Sequence, residues 1–106
     1  MFEFLKKLFG GQSKKRGPPP EKKDFIGNVT HYYGKVHAAV ITVKSGPLNV
    51  GDTIRIYGKH VDHTQKVIQM QIDHQPIQTA KSGQIVGLEV KTKVHEHDAV
   101  YRVTGI

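Results

Sequence analysis

The sequence predicts an all-β fold: a small closed β-barrel of about six strands, running from Phe25 to the C-terminus behind an N-terminal tail that is disordered or helical. Three observations predict it. Short runs rich in β-branched and aromatic residues recur between turn signals built from Gly, Pro and Ser. Apolar and polar residues alternate within several of these runs, which is strand rather than helix periodicity. Strands recur at short intervals with no convincing helix among them, and closure into a barrel removes exposed edges.

Taken in order, Phe25–Tyr33 and residues 35–44 meet at Gly34 as the two arms of a hairpin. Ser45-Gly46-Pro47 makes a turn, and Gly51-Asp52 makes another. In Leu48-x-Val50-Gly51-Asp52 the two apolar residues point inward, Gly51 permits a tight turn, and the Asp52 side chain caps it. In Thr53–Tyr57, Ile54 and Ile56 alternate with Thr53, Arg55 and Tyr57, the pattern of a half-buried strand. Residues 66–73 read as one strand with Ile68, Met70 and Ile72 on a common face. Ser82-Gly83 turns the chain into a strand over 84–90, and Ala99–Val103 is the last strand. Gly46, Gly51, Asp52, Gly83 and Gly87 are structural in this reading, placed at turns or where the barrel bends or packs backbone against backbone.

The tail has two parts. Over residues 1–9 a helical wheel gathers Phe2, Phe4, Leu5, Leu8 and Phe9 on one side and Glu3, Lys6 and Lys7 on the other. Residues 10–24 form a basic Gly/Pro-rich linker in which Pro18, Pro19 and Pro20 impose an extended chain. The net charge of +7 divides unevenly. Residues 1–23 carry seven Lys/Arg and two Glu, whereas residues 24–106 carry nine Lys/Arg against seven Asp/Glu. The basic character belongs to the tail. There is no cysteine, which excludes disulfides, thiolate metal sites and thiol catalysis, and fits a reducing cytoplasm. No apolar run approaches the length needed to cross a bilayer. Phe2, Leu5, Leu8 and Phe9, with basic residues behind them, offer a means of docking on a protein partner or on an anionic membrane surface.

The succession Gly34-x-Val36, Gly46-x-Leu48-x-Val50-Gly51-Asp52-x-Ile54-x-Ile56, Val67, Met70, Ala80-x-x-Gly83-x-x-Val86-Gly87-Leu88 and Asp98 resembles the second domain of translational GTPases. That domain is the β-barrel following the nucleotide-binding domain in elongation factor Tu and its relatives. The chain is also similar to the small stand-alone elongation-factor-like barrels, and to the C-terminal domain of some collagenase-like peptidases. The resemblance covers residues 26–103 and has two departures. His97 stands where translational factors usually carry glycine, and Ala38 and Ala39 replace the glycines of the second strand. The resemblance implies a non-catalytic, RNA- or ribosome-associated accessory module, since the factors' barrel contacts ribosomal RNA and aminoacyl-tRNA.

GTP is not part of that expectation. The segment from Gly46 to Thr53 has the glycine spacing of a phosphate-binding loop, but Asp52 occupies the lysine position, where a carboxylate repels phosphate. No cofactor and no metal are expected either. Among the seven histidines, His60-x-x-His63 and His95-x-His97 have ligand-like spacings, with Asp62, Asp73, His74, Glu96 and Asp98 near them. Surface loop histidines account for them better. Ser13, Ser45 and Ser82 lie in tail or turn contexts, and none resembles a strained nucleophile elbow. The partner-binding candidates are therefore Tyr33, Lys35, Arg55, Lys59 and Lys66 on the barrel, with one exposed tyrosine ring available to stack on a base, and Lys14, Lys15 and Arg16 in the linker. Two function classes follow, neither an enzyme: an RNA- or ribosome-associated module, or an adaptor docked through the amphipathic N-terminus on a protein or a membrane.

Overall fold

Burial at every second position, by Ala39, Ile41 and Val43 in one strand and Ile54 and Ile56 in another, makes the framework of the molecule, and the paired strands run antiparallel. The computed structural model describes residues 19–104; the amphipathic segment 1–9 and most of the linker, with Phe2, Leu5, Leu8, Phe9, Lys14, Lys15 and Arg16, lie outside the described residues. Among the described residues a 3-10 turn, Lys22–Asp24, leads into ten strands. They are β1 (Phe25–Tyr33), β2 (Ala38–Val43), β3 (Leu48–Asn49), β4 (Thr53–Tyr57), β5 (Asp62–Lys66), β6 (Met70–Ile72), β7 (Gln75–Ile77), β8 (Thr79–Ala80), β9 (Ile85–Glu89) and β10 (Ala99–Val103). Eight form one sheet in the order β5-β4-β10-β1-β2-β9-β6-β7, and β3 pairs with β8 in a separate ribbon.

The inward faces of these strands make one apolar core. Ile41 and Val43 of β2, Ile54 and Ile56 of β4, Val86 and Leu88 of β9 and Val100 of β10 meet Ile26, Val29, Leu48 and Met70 there. Strand β1 joins β10 to β2 and carries two register shifts, between Phe25 and Gly27 and between Val29 and His31. A bulge puts consecutive residues on one side, and Ile26 and Gly27 are accordingly both buried. Gly27 is obligatory by close approach, because a Cβ there would strike the carbonyl of Thr42.

The architecture corrects several expectations. The sheet is all-β but is not closed into a barrel of about six strands, for β5 and β7 are its two edges. β5 reads Asp62-His63-Thr64-Gln65-Lys66 with no apolar residue, and β7 is a short strand with Pro76 at its centre, which lacks a backbone donor. Both are features of protected sheet edges. The strand expected over 66–73 is interrupted: Lys66 ends β5, Met70 opens β6, and the residues between them belong to neither. That break shifts the phase, so Val67 and Met70 are buried while Ile68 is 61% exposed. Gly87, expected where the barrel bends or packs backbone against backbone, lies in the middle of β9 between two buried residues, and a Cβ there would meet nothing within 4 Å. The first hairpin turns through residues 34–37 instead of at Gly34 alone, with His37 at φ 54.

Candidate functional site

Two of the depressions on the described surface differ in what their side chains are free to do. The first, of about 480 Å³, is lined by Asp24, Arg55, Asp62, Thr64, Tyr101 and Arg102 among others. Arg55 of β4 and Asp62 of β5 sit diagonally across neighbouring strands, within reach of each other. Arg55 donates from Nε and Nη2 to both Asp62 oxygens, at 2.7 and 2.8 Å, and lies 4.9 Å from the centre of the Tyr57 ring. The hydrogen bond to Asp62 raises the Arg55 pKa above its ordinary value, against the opposing effect of burial. Arg102 of β10 donates to Asp52 Oδ2 at 2.9 Å and to the Pro47 carbonyl at 2.6 Å. Asp52 Oδ2 also accepts the Asn49 N–H at 2.8 Å, while Asp52 N–H donates to the Asn49 carbonyl at 3.0 Å. Both guanidinium groups therefore tie strands and turns together.

The second depression, of about 320 Å³, lies on the outward face of β2, β9 and β6 and is lined by Val36, Ala38, Gln69, Gln71, Gly87, Leu88 and Glu89. Strand register explains its shape. Val40 of β2 pairs with Gly87, and Gly87 pairs on its other side with Gln71 of β6. A row across three strands thus has glycine in the middle, and a Cβ at Gly87 would meet nothing within 4 Å. One step along β9 in the outward set, Glu89 pairs with Ala38, another small side chain. The result is a notch with a floor of Gly87 and Ala38, overlooked by Val36, which is 67% exposed.

The other residues singled out from the sequence are dispersed. Tyr32 packs against the core, and Tyr33 is 52% exposed with its ring 4.2 Å from that of His31. Lys35 lies in the β1–β2 turn, Lys59 in the loop after β4, and Lys66 at the end of β5, each exposed. Gly51 and Gly83 occupy turns at φ 99 and φ 93, and Gly46 donates its N–H to Ser82 Oγ at 2.8 Å. His31 Nδ1 lies 3.4 Å from Glu96, His63 Nε2 lies 3.0 Å from Gln65 Oε1, and the His60 and His95 rings are 5.6 Å apart. Asp98 is buried and accepts the His95 N–H at 2.8 Å. Among the described residues, no group of three or more His, Cys, Asp or Glu is placed to hold a metal ion. No described helix is long and apolar enough to cross a membrane. Sequence reasoning missed Gln65, Arg102, and the set Gln69, Gln71 and Glu89, which only strand register assembles.

The chain is 37% identical over 100 residues to an uncharacterized protease of Methanocaldococcus jannaschii, a match covering 93% of this chain and 23% of the relative. It is 32% identical over 82 residues to a collagenase of Porphyromonas gingivalis, covering 76% of this chain and 23% of the relative. Among solved structures, the C-terminal domain of a Geobacillus thermoleovorans chain described as a U32 peptidase has a like fold, with a TM-score of 0.73 at 18% identity. That match covers 82% of this chain and 100% of the other. The relatives bear the names of peptidases. No protein-family model matches the chain.

These findings correct the functional expectation. The similar proteins are a protease and a collagenase, and the like fold belongs to a U32 peptidase domain, not to a translation factor. They overturn the expectation of an RNA- or ribosome-associated module. The expectation of a protein apart from enzymes gives way to the same names, with the chain spanning 23% of the length of each of these two relatives. The physical cause of the error is visible in the fold. The residues that carried the resemblance to translational GTPases are framework: Leu48 pairs with Ala80 in the small ribbon, Gly51 and Gly83 turn the chain, and Asp52 caps a turn. Such residues mark a β-architecture and are silent about its task.

Proposed function

We propose that this chain takes part in peptide-bond hydrolysis, as a domain of U32 peptidase type that holds the polypeptide to be cleaved. The observation that carries the reading is the 37% identity to a protease over 93% of this chain. The like fold of a U32 peptidase C-terminal domain supports it. So does the outward face of β2, β9 and β6, which offers small and amide-bearing side chains. Holding a long substrate beside a reacting centre raises its effective concentration, so the benefit falls on long polypeptides more than on short ones.

The test compares extracts of the source cells with and without the chain, on denatured collagen and on a short fluorogenic peptide. Hydrolysis of denatured collagen is expected to fall when the chain is missing and to return when the purified chain is added. Short-peptide hydrolysis should change less. Equal hydrolysis of both substrates in both extracts would contradict the reading.

A further inference from the structure

Gly87 is a glycine that the fold does not require. Gly27 is needed because the Thr42 carbonyl occupies the Cβ position, and Gly58 because the Asp98 carboxylate does. Gly51 and Gly83 are needed for their positive φ. At Gly87 neither reason applies: its φ is outside the left-handed region and the space above it is open. Glycine in the middle of a strand weakens the strand, and where packing does not call for it, it marks close approach of a ligand or another backbone.

The surroundings say which ligand. Gln69 and Gln71 each carry an amide that can both donate and accept, matching the two polar groups of a peptide unit. Val36 and Ala38 give an apolar wall and floor suited to a small side chain. Glu89 supplies the notch's only charge among its lining residues. Among the described residues, its carboxylate and the two glutamine amides have no hydrogen-bond or ion-pair partner, although the Glu89 carbonyl is engaged by Gln65. An uncompensated carboxylate beside a notch favours a cation.

We infer that the notch over Gly87 is a binding site for an extended polypeptide segment with a small residue over Gly87 and a basic side chain directed to Glu89. The inference rests on the reading of the chain as a polypeptide-holding domain and gives that domain its contact surface. The segment lies over Gly87 with its peptide groups facing Gln69 and Gln71. Its lysine or arginine pairs with Glu89 at the rim.

The experiment follows backbone amide shifts in the isotope-labelled full chain on titration with two blocked hexapeptides. Both alternate glycine and alanine; one has a central lysine, the other a glutamate. The lysine peptide is expected to shift Ala38, Gln69, Gln71, Gly87 and Glu89, and the glutamate peptide to bind more weakly. Glu89→Gln should weaken the lysine peptide by about threefold, the range of an exposed ion pair. Gly87→Val should abolish the shifts while leaving the unfolding midpoint near that of the parent, because the new side chain enters open space. Full binding by Gly87→Val, or shifts confined to another surface, would overturn the site. Shifts elsewhere would still leave the chain a polypeptide binder, whereas failure of the extract assay would strike the functional reading itself.

Discussion

Gln65, on the edge strand β5, donates its side-chain amide to the Glu89 carbonyl at the end of β9, at 2.9 Å. Its Oε1 accepts the Lys91 N–H at 2.8 Å. One side chain thus makes the pair of bonds that a neighbouring strand would make, at a place where no ladder joins β5 to β9. Here β5 and the end of β9 are joined by a side chain and not by strand pairing.

Gln65→Ala should therefore destabilise the protein by about 1–2 kcal/mol, the cost of leaving a partly exposed donor and acceptor without their partner. Gln65→Glu keeps the acceptor for Lys91 but loses the donor to Glu89, and should cost nearly as much. Urea unfolding measures both. A midpoint unchanged in Gln65→Ala would mean that the bridge contributes nothing to the fold.

The glycines should separate into three grades on substitution by alanine. Gly27→Ala and Gly58→Ala meet a backbone carbonyl and a buried carboxylate, and should cost about 2–4 kcal/mol. Gly51→Ala and Gly83→Ala face only positive φ, and should cost about 1–2 kcal/mol. Gly87→Ala should be neutral or stabilising by up to about 1 kcal/mol, since it adds a side chain to a strand without a clash. Thermal unfolding of the five variants gives the order; a large loss at Gly87 would show that the notch is structural.

Asp52 serves two partners with one oxygen, the Asn49 N–H and the Arg102 guanidinium. Asp52→Ala should cost about 2–3 kcal/mol, more than an exposed ion pair alone, because the turn also loses its cap. Arg102→Met should cost less, since the cap remains. A double-mutant cycle isolates their coupling, expected at about 0.5–1 kcal/mol. Simple additivity would mean that Arg102 acts only through the Pro47 carbonyl.

Strands that carry their own pattern were legible in the sequence. Phe25–Tyr33, Thr53–Tyr57 and Ala99–Val103 are strands over those same residues, because β-branched and alternating apolar positions specify a buried face locally. The Asp52 cap was legible from turn chemistry, and alternation gave one tyrosine inward and one outward, which the structure assigns to Tyr32 and Tyr33 respectively. β5 was not, since its five polar residues carry no burial signal, and without β5 neither the Arg55–Asp62 pair nor the Gln65 bridge can be placed. The notch over Gly87 is hidden in another way. Val40, Gly87 and Gln71 lie far apart in sequence, and only register makes them a row. A glycine in a strand reads as a bend until its neighbours across the sheet are known.

The central claim, that the chain holds unfolded polypeptide, is tested most directly by equilibrium binding. Fluorescence anisotropy of labelled denatured collagen, titrated with the full chain, should show saturable binding that unlabelled denatured casein competes away and a folded protein of similar charge does not. Absence of binding to any unfolded polypeptide, at concentrations where the chain stays monodisperse, would contradict the account.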